Sequence, residues 1–161
     1  MMKKLYLASP LGFSEGGQFF MYEKMIPALE KAGFKIINPW KLADEKKIFE
    51  INQMDYGMEK KKAWEKMNTE IARKNTEAIE ECQGMIAVLD GPDVDSGTAA
   101  EIGYAAALGK PVVGYRGDFR LAGDNEGAMI NLQVEYFIRK NGGKIAASLQ
   151  ELIYALETVF G

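Results

Sequence analysis

The chain has 161 residues, of which 47% are hydrophobic and 27% charged, with a formal net charge of −3. That length supports one domain with a real core, spanning 1–161, and is short for two. Histidine is absent, so a Ser/His/Asp triad, a Cys/His pair and a His-ligated zinc or haem are excluded, and proton transfer near neutral pH falls to carboxylates, Tyr, Lys or backbone groups.

Lys3 and Lys4 precede a short apolar run, Leu5 to Ala8. It is too brief for a signal-peptide core of ~7–15 residues and suits a buried first strand. Ser14 opens a helix whose apolar positions Tyr22, Ile26 and Leu29 recur at helical spacing. Pro27 inside it predicts a kink, and Gly33 a left-handed end. Phe34 to Ile37 is the second strand, closed by Pro39. Residues 41–58, rich in Lys, Asp, Met and aromatics, predict a long loop with short helical pieces, of the kind that serves as a lid. From about Lys60 to Cys82 the pattern is helical. Cys82 is the single cysteine, which rules out an intramolecular disulfide and suits a reducing cytoplasm.

Met85 to Leu89 is a continuous apolar run, as in a central parallel strand covered on both faces. A turn over 90–97 leads to an Ala-rich helix from about Thr98 to Leu108, stopped by Gly109. Pro111 to Tyr115 is the fourth strand. A polar loop, 116–126, precedes a helix around 128–140, and Lys144 to Ala146 is a fifth short strand. Ser148-Leu149-Gln150-Glu151 has capping-box spacing ahead of the last helix.

Strands alternating with helices imply an α/β fold with a parallel sheet covered on both faces. Right-handed crossovers leave few topologies, and a flavodoxin-like, doubly wound five-stranded order is expected. Ligands bind such sheets at the carboxyl ends of the strands where strand order reverses, which directs attention to the loops after strands one and three. No apolar stretch approaches the ~20 residues that span a bilayer, so no membrane segment is expected. The acidic balance disfavours nucleic acid as a partner. Gly16-Gly17 lacks dinucleotide-fingerprint spacing and no Walker A sequence is present, so no cofactor is expected.

The loop after strand three and its helix carry four carboxylates: Asp90, Asp93, Asp95 and Glu101. Thr98-Ala99-Ala100-Glu101 reads as a capping box, with Asp95 or Ser96 as a further cap. Two features argue for more. Glu101 borders the sheet-facing side of its helix, where a carboxylate is partly desolvated. Small residues around it, Ala99, Ala100, Gly103, Ala105, Ala106 and Ala107, allow the helix to approach the sheet closely. Asn75 is a polar residue on the apolar stripe Ile71, Ala78, Ile79 and Cys82, and a buried amide needs partners. Asn131 similarly borders the apolar face of Ile130, Val134, Phe137 and Ile138. After strand one, Ser9 and Phe13 are candidates for a polar contact and an aromatic stack, with a plain turn as the alternative. A metal loop from Asp90, Asp93 and Asp95 is interrupted by Pro92, and no metal is expected.

Tyr6-Leu7-Ala8-Ser9-Pro10, Asp90-Gly91, the run from Asp95-Ser96-Gly97-Thr98 through Glu101-Ile102-Gly103-Tyr104-Ala105, and Ile130-Asn131-Leu132 together resemble the nucleoside 2-deoxyribosyltransferases. The resemblance implies a flavodoxin-like sandwich and transfer of 2-deoxyribose between nucleobases with retention at C1′. It implies that Glu101 is the nucleophile, that Asp95 handles the base and its proton, and that Tyr6 positions the nucleophile. Asn131 matches an asparagine that reaches the site from a neighbouring subunit. The expected partners are deoxynucleosides and free nucleobases. The expected assembly is a homo-oligomer, a dimer or a hexamer built from dimers, with shared sites. Ser9, Phe13, Asn75, Asp90, Gly91, Ser96 and Gly97 are the expected substrate-binding positions. Some transferases carry Asp where this chain has Asn75, and residues 41–68 match no part of the pattern.

The chemistry accounts for the residue types. Glycosidic cleavage proceeds with oxocarbenium character, and a carboxylate on the opposite face captures C1′. A second carboxyl group protonates the departing base, so the two carboxyls need different environments. The related branch that hydrolyses deoxynucleoside 5′-monophosphates is an alternative. Its members tend to have Ser at the position of Asp95, whose charge repels a phosphate. A non-catalytic nucleotide-binding module is a second alternative, and it needs neither Glu101 nor Asp95.

Overall fold

The computed structural model describes residues 2–161. Five strands form one parallel sheet: β1 (Lys3–Ala8), β2 (Phe34–Ile37), β3 (Gly84–Val88), β4 (Val112–Tyr115) and β5 (Ile145–Ala146). Their order is β2-β1-β3-β4-β5, the doubly wound order expected from the alternating pattern. Strand order reverses between β1 and β3, paired from Leu5 opposite Gly84 to Ala8 opposite Ala87.

Side chains alternate across β1, and this parity divides the core. Leu5 and Leu7 join the cluster built with Met21, Met25, Leu29, Leu152 and Leu156. Tyr6 and Ala8 face the other way, toward Ile79, Ile102, Ile130 and Ile138. The first face is covered by α1 (Glu15–Phe20), α2 (Ile26–Lys31) and α7 (Leu149–Phe160). The second is covered by α4 (Met58–Glu81), α5 (Ser96–Ala107) and α6 (Leu132–Lys140). All five residues of β3 are buried, as its unbroken apolar run requires.

Local signals account for the helix ends. Ser14 accepts a hydrogen bond from the Gly17 N–H and starts α1. The disturbance expected at Pro27 takes the form of a π-helical turn, Met21–Met25, between α1 and α2. Proline lacks the N–H for the carbonyl four residues back and its ring crowds that carbonyl; a wider turn relieves both. At the last helix, Ser148 Oγ accepts from the Glu151 N–H, while Glu151 accepts from the Ala147 N–H at 2.9 Å.

Three expectations need correction. Residues 41–58 are not mainly loop: Glu45–Gln53 form a helix, α3. Asp44 caps it through the Lys47 N–H, and Lys46–Glu50 pairs along one side. Lys47 anchors it to Glu70 of α4 at 3.1 Å. The helix ahead of Gly109 starts at Ser96, because Asp95 is its cap. The helix expected from about 128 starts only at Leu132, because Asn131 caps it through the Gln133 and Val134 N–H groups. No described helix is long and apolar enough to cross a membrane.

Candidate active site

A cavity of about 450 Å³ opens at the carboxyl ends of β1 and β3. Its deepest chemistry is a pair from two elements far apart in sequence. Tyr6, fully buried on β1, donates its phenolic hydrogen to Glu101 Oε1 at 2.6 Å. Glu101 lies in the second turn of α5, and its other carboxylate oxygen makes no hydrogen bond among the described residues. The expected Thr98–Glu101 capping box is therefore not formed: Glu101 faces the sheet and bonds Tyr6, leaving the cap to Asp95.

Burial pushes the Glu101 carboxyl up from the ordinary value, the Tyr6 hydrogen bond opposes this, and Asp95 adds to the rise. Burial, reinforced by the neighbouring Glu101, pushes the Tyr6 phenol far up, so it remains a hydrogen-bond donor throughout the working pH range. Asp95 uses Oδ2 to accept from the Thr98 N–H at 2.9 Å and the Thr98 hydroxyl at 3.1 Å, which leaves Oδ1 free of intramolecular bonds. The cap thus orients a carboxyl group beside Glu101 and keeps one oxygen available.

The walls come from four segments. Ser9 and Phe13 line the cavity from the loop after β1, and Gly97 and Thr98 from the start of α5. Asn68, Ile71 and Asn75 lie at i, i+3 and i+7 along α4 and form one wall. Asn75 Oδ1 is buried with no partner among the described residues, an acceptor left unsatisfied at the cavity wall. Trp40, just after β2, packs edge-on against Phe13 with ring centroids 4.7 Å apart and donates its indole N–H to the Ser9 carbonyl at 3.1 Å. Gly12 permits this approach, since a Cβ there would lie 2.2 Å from the Trp40 ring.

Six of the residues singled out from sequence therefore line one cavity: Ser9, Phe13, Asn75, Asp95, Gly97 and Glu101; Tyr6 sits behind the last. Others lie elsewhere. Asp90 lines a second groove, of about 660 Å³, with Phe20 and Tyr115 of the opposite core face, and that groove contains neither Glu101 nor Asp95. Gly91 has φ +121° and offers its carbonyl to Arg116. Ser96 is the exposed first residue of α5. Asn131 caps α6 and does not line the cavity of its own chain. Asp90, Asp93 and Asp95 do not converge: among the described residues no group of three or more Cys, Asp or Glu is arranged to hold a metal ion. The Cys82 thiol is buried and pushed up to about 11 by burial, so it is not a ready nucleophile.

Sequence reading missed Trp40, Ile48 and Asn68 as wall residues. A signal for Trp40 exists, for it stands directly at the carboxyl end of a strand, where α/β sheets place their ligands. Asn68 and Ile48 carry no such signal, because their place depends on α3 folding against α4.

Comparison with known proteins bears on the fold and the family. An uncharacterized protein of Schizosaccharomyces pombe is 30% identical over 136 residues, 59% of this chain and 64% of that protein, so the chain spans less than two thirds of its relative's length. Among solved structures, a conserved protein from Enterococcus faecalis superposes with a TM-score of 0.72 at 25% identity, covering 98% of this chain and 99% of that one. A 2-deoxyribosyltransferase from Leishmania mexicana gives 0.67 at 22% identity over 99% of both chains, and a CMP N-glycosidase from Clostridium botulinum gives 0.57 at 20% over 97% and 99%. The last two establish likeness of fold. The family model described as nucleoside 2-deoxyribosyltransferase matches residues 5–133. The chain therefore belongs to the nucleoside 2-deoxyribosyltransferase family.

Proposed function

We propose that the protein transfers 2-deoxyribose between nucleobases of 2′-deoxyribonucleosides by a retaining double displacement. The observation that carries this reading is the Tyr6–Glu101 pair on the cavity floor with the half-free Asp95 carboxyl beside it. Glu101 attacks C1′ through its unbonded oxygen as the C1′–N bond breaks, forming a deoxyribosyl ester. Asp95, in its acid form, gives its proton to the departing base. The incoming base returns a proton to Asp95 and displaces Glu101, so atoms and charge balance over the cycle. Tyr6 holds the carboxylate in line by one charge-assisted hydrogen bond. Phe13 and Trp40 offer aromatic faces and edges to a base, and Ser9 and Asn75 offer polar contacts to it or to the sugar.

Asn131 belongs to this reading as a contribution from a second copy of the chain. Its Oδ1 is engaged as a cap while its Nδ2 is not. Leu132 and Tyr136 beside it are 54% and 58% exposed, and Tyr104 of α5 and Leu108 at its end add exposed apolar surface on the same helical layer. Apolar area of this kind favours burial in a homo-oligomer. The role such an enzyme serves is salvage of deoxynucleosides in the cytoplasm.

The N-glycosidase reading shares the nucleophile and differs in its acceptor, water, and in a 5′-phosphate on the substrate. Whenever Asp95 is ionised, between giving up its proton and regaining it, it repels a 5′-phosphate in the cavity, which favours an uncharged nucleoside. The test incubates the protein with 2′-deoxyinosine and free adenine or cytosine and follows products by chromatography. A new deoxynucleoside is expected, and Glu101→Ala abolishes it. Sustained exchange by that variant overturns the mechanism, and free base released only from a 5′-monophosphate assigns the chain to the hydrolytic branch.

A further inference from the structure

Arg116 follows β4 directly and is 3% exposed, yet among the described residues its guanidinium pairs with no carboxylate. A buried cation is costly unless its surroundings are built to hold it. Here backbone carbonyls do so. Nη1 donates to the Leu89 carbonyl, and Nη2 donates to those of Gly91 at 3.2 Å and Arg120 at 2.7 Å. Nε is buried without a partner, so the group is held entirely from its far end.

The same two loops are joined at further points. The Leu89 N–H donates to the Tyr115 carbonyl at 2.8 Å, and the Asp118 N–H donates to Asp90 Oδ1 at 2.9 Å. Arg120 grips the Asp118 carboxylate and holds it well below the usual carboxylate range. The turn requires φ +121° at Gly91, a left-handed-side conformation that favours glycine. Residues 89–91 are thus zipped to residues 115–120, and Asp95 follows only four residues later. Glu101 is held independently, by packing of α5 on β1 and β3 and by Tyr6.

We propose that Arg116 is a positioning residue for Asp95: by fixing the Leu89 and Gly91 carbonyls it holds the loop that aims the Asp95 carboxyl at the base nitrogen, and it serves proton transfer to the leaving base rather than attack by Glu101. The proposal rests on the deoxyribosyl-transfer reading above. It separates two kinds of donor. A nucleobase leaves with a proton from Asp95. The p-nitrophenolate of p-nitrophenyl 2-deoxyriboside leaves with the electron pair of the C1′–O bond and needs none, while Glu101 forms the same ester.

Single-turnover release is measured from both donors for the wild type, Arg116→Lys and Gly91→Ala, with thermal melting to verify folding. Arg116→Lys keeps the charge but loses the fork that reaches three carbonyls; Gly91→Ala strains the clasp from its other side. Both variants are expected to release hypoxanthine from 2′-deoxyinosine about 10- to 100-fold more slowly and p-nitrophenolate within about threefold of wild type. Equal losses on both donors in a folded variant, or no loss on the nucleoside, overturn the proposal. A wild type inactive on both donors overturns the transfer reading itself, and the positioning role with it.

Discussion

Tyr6→Phe removes one oxygen and leaves the ring that packs in the second core cluster. What is lost is the 2.6 Å bond to Glu101 Oε1. Hydrogen bonds to charged groups contribute about 1.5–3 kcal/mol, and ~1.4 kcal/mol corresponds to a factor of ten in rate. Loss of orientation of the nucleophile therefore lowers kcat/KM for base exchange by roughly 10- to 150-fold. The pH profile supplies an independent sign. The bond holds the Glu101 carboxyl down against burial and Asp95, both of which push it up. Without it Glu101 binds its proton more tightly, the attacking carboxylate is lost at a higher pH, and the acid limb of kcat/KM moves upward. The assay is steady-state exchange of 2′-deoxyinosine with adenine across pH 4–8, for wild type and variant at saturating acceptor. An unchanged kcat/KM together with an acid limb that stays in place or moves downward refutes the role assigned to this bond.

Two further outcomes test the same picture. Glu101 has a folded-state pKa raised above its unfolded value, so the stability it supplies is present below the unfolded pKa and lost as pH rises through the folded one. Glu101→Gln keeps an acceptor for Tyr6 and removes the buried charge; its melting temperature is expected to exceed that of the wild type at pH 7, with the gap closing toward pH 4, and a gap independent of pH contradicts the burial argument. Gly12→Ala places a methyl group 2.2 Å from the Trp40 ring, so the ring must move and the edge contact with Phe13 is lost. Aromatic pairs of this kind contribute about 0.5–1.5 kcal/mol, so KM is expected to rise roughly 2- to 10-fold with kcat nearly kept; KM measurement and indole fluorescence check it.

Much of the architecture was legible because its signals are local. The run Met85 to Leu89 reads as a doubly covered strand whatever surrounds it, and Ser14 and Ser148 announce their helices by side-chain chemistry alone. The α3 helix was not legible. Its apolar face is short and its charges dominate the composition, and the Lys47–Glu70 contact that seats it joins residues far apart in the chain. Once α3 is seated, Ile48 and Asn68 become cavity walls.

The same division runs through the site. The amino-acid sequence by itself determined that proton chemistry near neutral pH must come from carboxylates, Tyr, Lys or backbone groups, and that Glu101 lies on the sheet-facing border of its helix behind a cap-forming segment. Periodicity reports such facts because it records which side of an element is apolar. The resemblance had already named Tyr6 as the partner of Glu101, but no spacing in the chain explains the pairing; the tertiary structure supplies the reason, since the parity of β1 and its register against β3 bring together side chains 95 positions apart. Tertiary structure alone decided that Asp90 and Asp95, five residues apart, line different hollows, and that Arg116 lies buried among carbonyls. Those outcomes depend on how strands are ordered and loops are joined, which no local spacing encodes.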